Sequence, residues 1–200
     1  MRKGHRPPTV CVASSAPEMK SPAPPDAALL VIDVQCGLFC SDPAPDDAAG
    51  TIQRINDVIH RTRRAGRPVI FIQHAEAPDL IPDSAGWQLH PALARTAADT
   101  VIGKTACDAF CGTVLDEHLR RLGISTLLLT GFATEFCVDT TLRNAASRGY
   151  RILVVSDAHT TKDRPVLSAA QIKAHHNWIW SELSMPQPIT LVPAADLVFG

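Results

Sequence analysis

The chain has almost no net charge to offer a polyanion. Nineteen Lys and Arg stand against 20 Asp and Glu, a net of −1 over 200 residues. The basic surface that holds nucleic acid irrespective of sequence is therefore missing, and no nucleic-acid partner is expected. Long apolar runs are missing too. None approaches the roughly 18 residues of a membrane span, and candidates such as Ala27–Ile32 have the length of a buried strand, so no membrane partner is expected. Arg2, Lys3 and Arg6 open the chain, but no apolar stretch follows them. No secretory signal is expected, and a cytoplasmic location is. Six cysteines are too few and too irregularly spaced for a disulfide framework. No Gly-x-Gly-x-x-Gly follows the first apolar run, which argues against a dinucleotide site. There is no internal repeat.

What is present is an ordinary globular composition, 46% hydrophobic and 20% charged. This length suits one domain that buries roughly 70% of its unfolded surface. Residues 1–26 hold six of the 16 prolines, with Ser, Ala and Lys and no periodicity. They are expected to be a disordered leader, with the ordered domain over 27–200. From Ala27 on, strand and helix signals alternate. Apolar runs at Ala28–Asp33, Pro68–Gln73, Thr100–Ile102, Ser125–Thr130, Arg151–Val155 and Ile189–Val192 read as six strands. Helical spacing marks Ile52–Thr62, Val114–Leu122, Phe136–Arg148 and Ser168–Leu183, with Gly66, Gly123 and Gly149 as stops and Pro165 near the last start. The pattern predicts an α/β fold: a mainly parallel, six-stranded sheet covered by helices on both faces.

Ligands of such sheets bind beyond the carboxyl ends of the strands, at the topological switch point. Three reactive residues fall there: Asp33 closing the first strand, Lys104 after the third, and Cys137 in the first turn after STLLLT. An acid, an ammonium and a thiol at one sheet edge can form a nucleophilic centre. A helix N-terminus and Lys104 would favour the thiolate, which predicts a depressed Cys137 pKa and preferential alkylation of this thiol. Asp33 would take the thiol proton and return it to a leaving amine. Taken singly, each residue also has an ordinary reading, as a loop anchor, a surface lysine and an inert buried thiol. The other notable cysteines form two C-x3-C pairs, Cys36/Cys40 and Cys107/Cys111. They fit either core or lining thiols or a four-thiolate metal or redox module, which is the alternative function.

Three segments carry a resemblance. ALLVIDVQCGLF, VIGKTACDAFCGTVLDEHL and LLLTGFATEFCVDTTLRNAASRGYRILVVSDA together resemble the isochorismatase-like cysteine hydrolases over about residues 27–195. The resemblance implies a three-layer α-β-α fold with strand order 3-2-1-4-5-6. It implies a catalytic triad of Asp33, Lys104 and Cys137, and a cis peptide at Phe132–Ala133 that aims the amides of Ala133 and Cys137 at an oxyanion. The implied activity is hydrolysis of a small-molecule C–N bond (amide, lactam or carbamoyl) through a thioester. Isochorismatases proper lack the nucleophilic cysteine, so its presence favours amide chemistry.

The metal of the related nicotinamidases uses an Asp-x-His and a further His between strands one and two. Ser41–Ile52 contains no His, so neither metal nor cofactor is expected. The tail from SDAHTTKDRP onward resembles the streptothricin-hydrolase-like branch, and relatives form dimers or larger homo-oligomers. Trp178 and Trp180 could serve such an interface or pack on the sheet. Gln35, Phe39, His74, Trp87, His90 and Phe110 are the substrate-contact candidates, with structural or core roles open for each.

Overall fold

The computed structural model describes residues 22–199. Six strands make one sheet: β1 (Ala27–Ile32), β2 (Val69–His74), β3 (Thr100–Lys104), β4 (Thr126–Phe132), β5 (Arg151–Thr160) and β6 (Ile189–Val192). The helices are α1 (Cys36–Phe39), α2 (Ala48–Arg64), α3 (Leu115–Arg121), α4 (Asp139–Ser147) and α5 (Ala169–Glu182). The strands lie in the order 3-2-1-4-5-6 and every neighbouring pair is parallel.

Right-handed crossovers fix the layers. The chain leaves β1 toward one edge, which puts α2 on one face. It then returns past β1 to β4 and continues outward, which puts α3, α4 and α5 on the other face. Strand residues alternate accordingly. Leu30, Ile32, Ile70, Ile72, Leu127 and Leu129 pack with Leu115, Leu119, Leu142 and Trp180, while Leu29, Val31, Phe71, Leu128 and Leu153 pack with Ile52, Ile55, Val58 and Ile59. Burial on both faces explains why β1, β2 and β4 are apolar without alternation.

The switch in direction falls between β1 and β4, and one glycine there is obligatory. Gly131 has φ +119°, and a Cβ on it would lie 2.0 Å from the carbonyl oxygen of Ile32. Beside it the β4–β5 register jumps, from Leu129 opposite Val154 to Gly131 opposite His159. The extra residues let β5 run on to Thr160, beyond the expected end at Val155. The polar SDAHT stretch hid that extension.

Three further boundaries differ from the sequence reading. Pro22–Asp26, assigned to the leader, belongs to the packed body. Pro22–Ala23 pairs in parallel with Val198–Phe199, Ala23 is fully buried, and the Arg67 guanidinium donates to the Pro24 carbonyl. Backbone pairing, which composition does not register, holds this stretch; the rest of the leader and Cys11 lie outside the described residues. β3 extends to include Lys104. The first residues of the helix expected from Phe136 lie in a π-helical turn, Thr134–Val138, which leads directly into α4 at Asp139.

On α5 the two tryptophans part. Trp180 is fully buried and donates from Nε1 to Asp139 Oδ1 at 2.7 Å, whereas Trp178 is exposed against His175. Trp180 is thus a core residue. No helix among the described residues is long and apolar enough to cross a membrane.

Candidate active site

Asp33 is the first residue past β1. Its φ of +51° is left-handed, a conformation that Asp tolerates better than most residues. Its amide donates to the Ile72 carbonyl at 3.0 Å, which ties it to β2. Lys104 is the last residue of β3, and its carbonyl accepts from Ala75 N–H at 2.8 Å. Cys137 is the fourth residue of the π-helical turn after β4, and the Phe132–Ala133 peptide before that turn is cis. Two strand ends flanking the switch point and one at the sheet edge therefore deliver three reactive side chains to one place.

They meet at the Lys104 ammonium. Nζ lies 2.7 Å from Asp33 Oδ2 and 3.3 Å from Cys137 Sγ. It also donates to the Ala106 carbonyl at 3.0 Å and lies 3.1 Å from His74 Nδ1. Asp33 is 1% exposed, Lys104 3% and Cys137 9%. In so dry a site a charge persists only beside an opposite one.

Burial pushes the Asp33 carboxyl above its ordinary value, against the pull of the Lys104 ammonium. The Cys137 thiol is also pushed up, by burial first and by the Asp33 carboxylate second, with Lys104 opposing. The depressed thiol pKa expected from sequence is thus overturned. Desolvation and a neighbouring anion outweigh the single ammonium, so the resting centre favours the thiol over the thiolate. A thiol beside a carboxylate whose proton affinity has been raised can hand its proton over with no change in the net charge of the trio.

The other candidates distribute unevenly. His74 is in the cluster: it touches Lys104 through Nδ1 and Glu76 Oε2 through Nε2 at 3.2 Å. Gln35 is fully buried and its amide is spent on backbone. Oε1 accepts from His74 N–H at 2.8 Å, while Nε2 donates to the carbonyls of His74 at 2.9 Å and Trp87 at 2.8 Å. It clamps the end of β2 to the following loop and has no donor to spare for substrate.

Phe39 is buried edge-on against Phe132, 5.7 Å between centroids, and near His90 at 6.1 Å. It supports the strand end that precedes the cis bond. Phe110 stacks on Tyr150 at 5.9 Å under the Arg148 guanidinium. Those partners flank the far end of α4, so Phe110 has a core role there. Trp87 and His90 line a cavity of about 620 Å³ with Gln73, Arg95, Val101 and Gly103. Gln73 and Gly103 immediately precede His74 and Lys104, and strand alternation turns them to the opposite face, so this cavity lies behind the triad. The C-x3-C pairs do not assemble a metal centre: no group of three or more His, Cys, Asp or Glu placed to hold an ion occurs among the described residues.

Sequence reasoning missed a second polar network under the nucleophile turn. Thr134 Oγ1 and His159 Nδ1 are 2.9 Å apart, and His159 Nε2 lies 2.9 Å from Asn177 Oδ1. Since Asn177 Nδ2 donates to Ser156 O at 3.0 Å, its Oδ1 is the acceptor. Nε2 of His159 therefore carries the proton, and Nδ1 accepts from the threonine hydroxyl. Burial holds His159 neutral, its pKa pulled down to about 4. Glu135, also on the turn, accepts from Arg164 Nε at 2.6 Å and Thr161 Oγ1 at 2.9 Å. The available signal was a histidine and threonines closing an otherwise apolar strand.

Comparison with known proteins identifies the family. The isochorismatase domain matches residues 27–177. The chain belongs to the isochorismatase family. It is similar to a streptothricin hydrolase of Streptomyces noursei, 35% identical over 87% of this chain and 71% of that protein. It is also similar to a ureidoacrylate amidohydrolase of Methylobacterium radiotolerans, 31% identical over 74% of this chain and 72% of that one. A crystal structure of an isochorismatase family protein superposes with a TM-score of 0.78 at 35% identity, covering 84% of this chain and 98% of the other. This isochorismatase-family chain is accordingly a hydrolase, with named amidohydrolases among its relatives.

Proposed function

We propose that the protein hydrolyses a C–N bond of a small molecule (an amide, lactam or carbamoyl group) with Cys137 as nucleophile. The observation that carries this reading is the meeting of Asp33 and Cys137 on one buried ammonium, at 2.7 and 3.3 Å. Substrate binding displaces water and brings a carbonyl carbon against the sulfur. The thiol proton passes to Asp33, and the thiolate that forms is stabilised by Lys104. Attack on the carbonyl places negative charge on its oxygen, facing the amides of Ala133 and Cys137 in the turn that begins at the cis bond. Collapse of this intermediate expels the amine, which takes the proton from Asp33 and leaves a thioester. A water molecule deprotonated by Asp33 then attacks the thioester, releasing the acid and the thiol. The names of the relatives, a streptothricin hydrolase and a ureidoacrylate amidohydrolase, support a non-peptide C–N bond as the target.

A screen of small amides, ureides and lactams for release of ammonia or amine tests the reading. With a hydrolysed substrate in hand, Cys137→Ala should leave the fold intact and lower kcat by at least about 10³-fold. Comparable turnover by the variant would remove the cysteine mechanism.

A further inference from the structure

His74 has a role that neither substrate contact nor simple packing describes. An ammonium has three protons and accepts nothing. Around Lys104 Nζ stand four groups that can take one: Asp33 Oδ2 at 2.7 Å, Ala106 O at 3.0 Å, His74 Nδ1 at 3.1 Å and Cys137 Sγ at 3.3 Å. Because Lys104 can only donate, His74 Nδ1 is the acceptor of their contact. The imidazole is then neutral with its proton on Nε2, where Glu76 Oε2 receives it at 3.2 Å. Gln35 bonds both the backbone N–H and the backbone carbonyl of His74, which fixes the main chain from which the ring projects. The site thus contains two neutral acceptors, Ala106 O and His74 Nδ1, and two partners whose charges interchange during catalysis.

We infer that His74 is a positioning residue: with Ala106 O it pins two ammonium protons, so that the third stays on Cys137 Sγ and steadies the thiolate as the thiol proton passes to the ion-paired Asp33. Before transfer the trio is carboxylate, ammonium and thiol; after it, carboxylic acid, ammonium and thiolate. One proton has moved from sulfur to oxygen and the total charge is unchanged. Without the imidazole, the ammonium is free to turn two of its protons on Asp33. That holds the carboxylate ionised and opposes the transfer that makes the nucleophile.

The inference rests on the cysteine-hydrolase reading, so its test includes a readout independent of any substrate. His74→Leu and His74→Asn are nearly isosteric, but only Asn keeps an acceptor oxygen near the position of Nδ1. Site-resolved alkylation of Cys137 by iodoacetamide should slow about 10- to 100-fold in His74→Leu, the range expected when a buried donor loses its partner. It should stay within about threefold of the parent in His74→Asn. With a hydrolysed substrate, kcat should follow the same order with KM unchanged. Imidazole ¹⁵N shifts of the parent at pH 8, assigned by the signal lost in His74→Asn, should show the proton on Nε2.

Three results would overturn the inference: a His74→Leu alkylation rate within twofold of the parent, an Asn variant as slow as the Leu variant, or a proton on Nδ1. If His74→Leu does not fold, the ¹⁵N tautomer decides alone. If no substrate is ever turned over, the functional reading fails, and the alkylation and ¹⁵N results still decide the role of His74.

Discussion

At Cys137 the local balance of charges, rather than residue type, sets reactivity. Cys137 is the only buried thiol of the five described, while Cys40, Cys107 and Cys111 are exposed. Burial and Asp33 raise its pKa against the pull of Lys104. Without substrate, iodoacetamide near pH 7 should therefore modify the exposed three before Cys137, as read by peptide mass mapping. Lys104→Met should slow Cys137 further and leave the exposed thiols unchanged, because it removes the one nearby group that favours the thiolate.

The meeting of Asp33, Lys104 and Cys137 was legible in the sequence, since the acid and the lysine lie at the ends of apolar runs and the thiol lies in the turn that follows another. The sign of the thiol shift was not, because it depends on how completely loops 34–50 and 74–99 exclude water. The choice between substrate contact and structural role stayed open for Gln35 and Phe110 for a related reason. Nothing in a single sequence says that the Gln35 amide is consumed by the His74 and Trp87 carbonyls, or that Phe110 turns toward Tyr150.

The elements beneath the site make two further claims. His159 ties the end of β5 to the nucleophile turn through Thr134 and to α5 through Asn177. Burial lowers its pKa from 6.5 to about 4, with Lys173 and His176 adding to the effect and Asp157 and the Asn177 contact opposing it. A histidine depressed in the folded state binds its proton more tightly when unfolded. The stability it lends is therefore complete above about pH 6.5 and is lost as pH falls toward 4, a total of about 3 kcal/mol. Urea midpoints measured between pH 7 and 4 should fall across this window, and His159→Gln should flatten that part of the slope.

At the switch point, Gly131→Ala forces a Cβ onto the Ile32 carbonyl in a left-handed backbone. Its cost should be about 2 kcal/mol or more by the same urea measurement. Both features sit where the β4–β5 register shifts, and that shift is why the sequence reading ended β5 too early.

Over the whole molecule, the alternation of apolar runs and helical spacings was enough to read the parallel sheet and its two helical layers. The strand order came with the family resemblance. What stayed out of reach was carried by pairing between distant segments, as when Pro22–Ala23 joins Val198–Phe199, and by the helix-free connection from β2 to β3.

The architecture brings the three side chains together in one step: the sheet reverses direction beside β1, and Asp33, Lys104 and Cys137 meet at the strand ends. The most direct test is to quench turnover of a hydrolysed amide with acid and weigh the protein. The account predicts a mass increase equal to the acyl part of the substrate, mapped to the peptide that contains Cys137 and absent in Cys137→Ala. An unmodified Cys137 under conditions where single-turnover kinetics show an accumulated intermediate, or an acyl group mapped to any other residue, would contradict it.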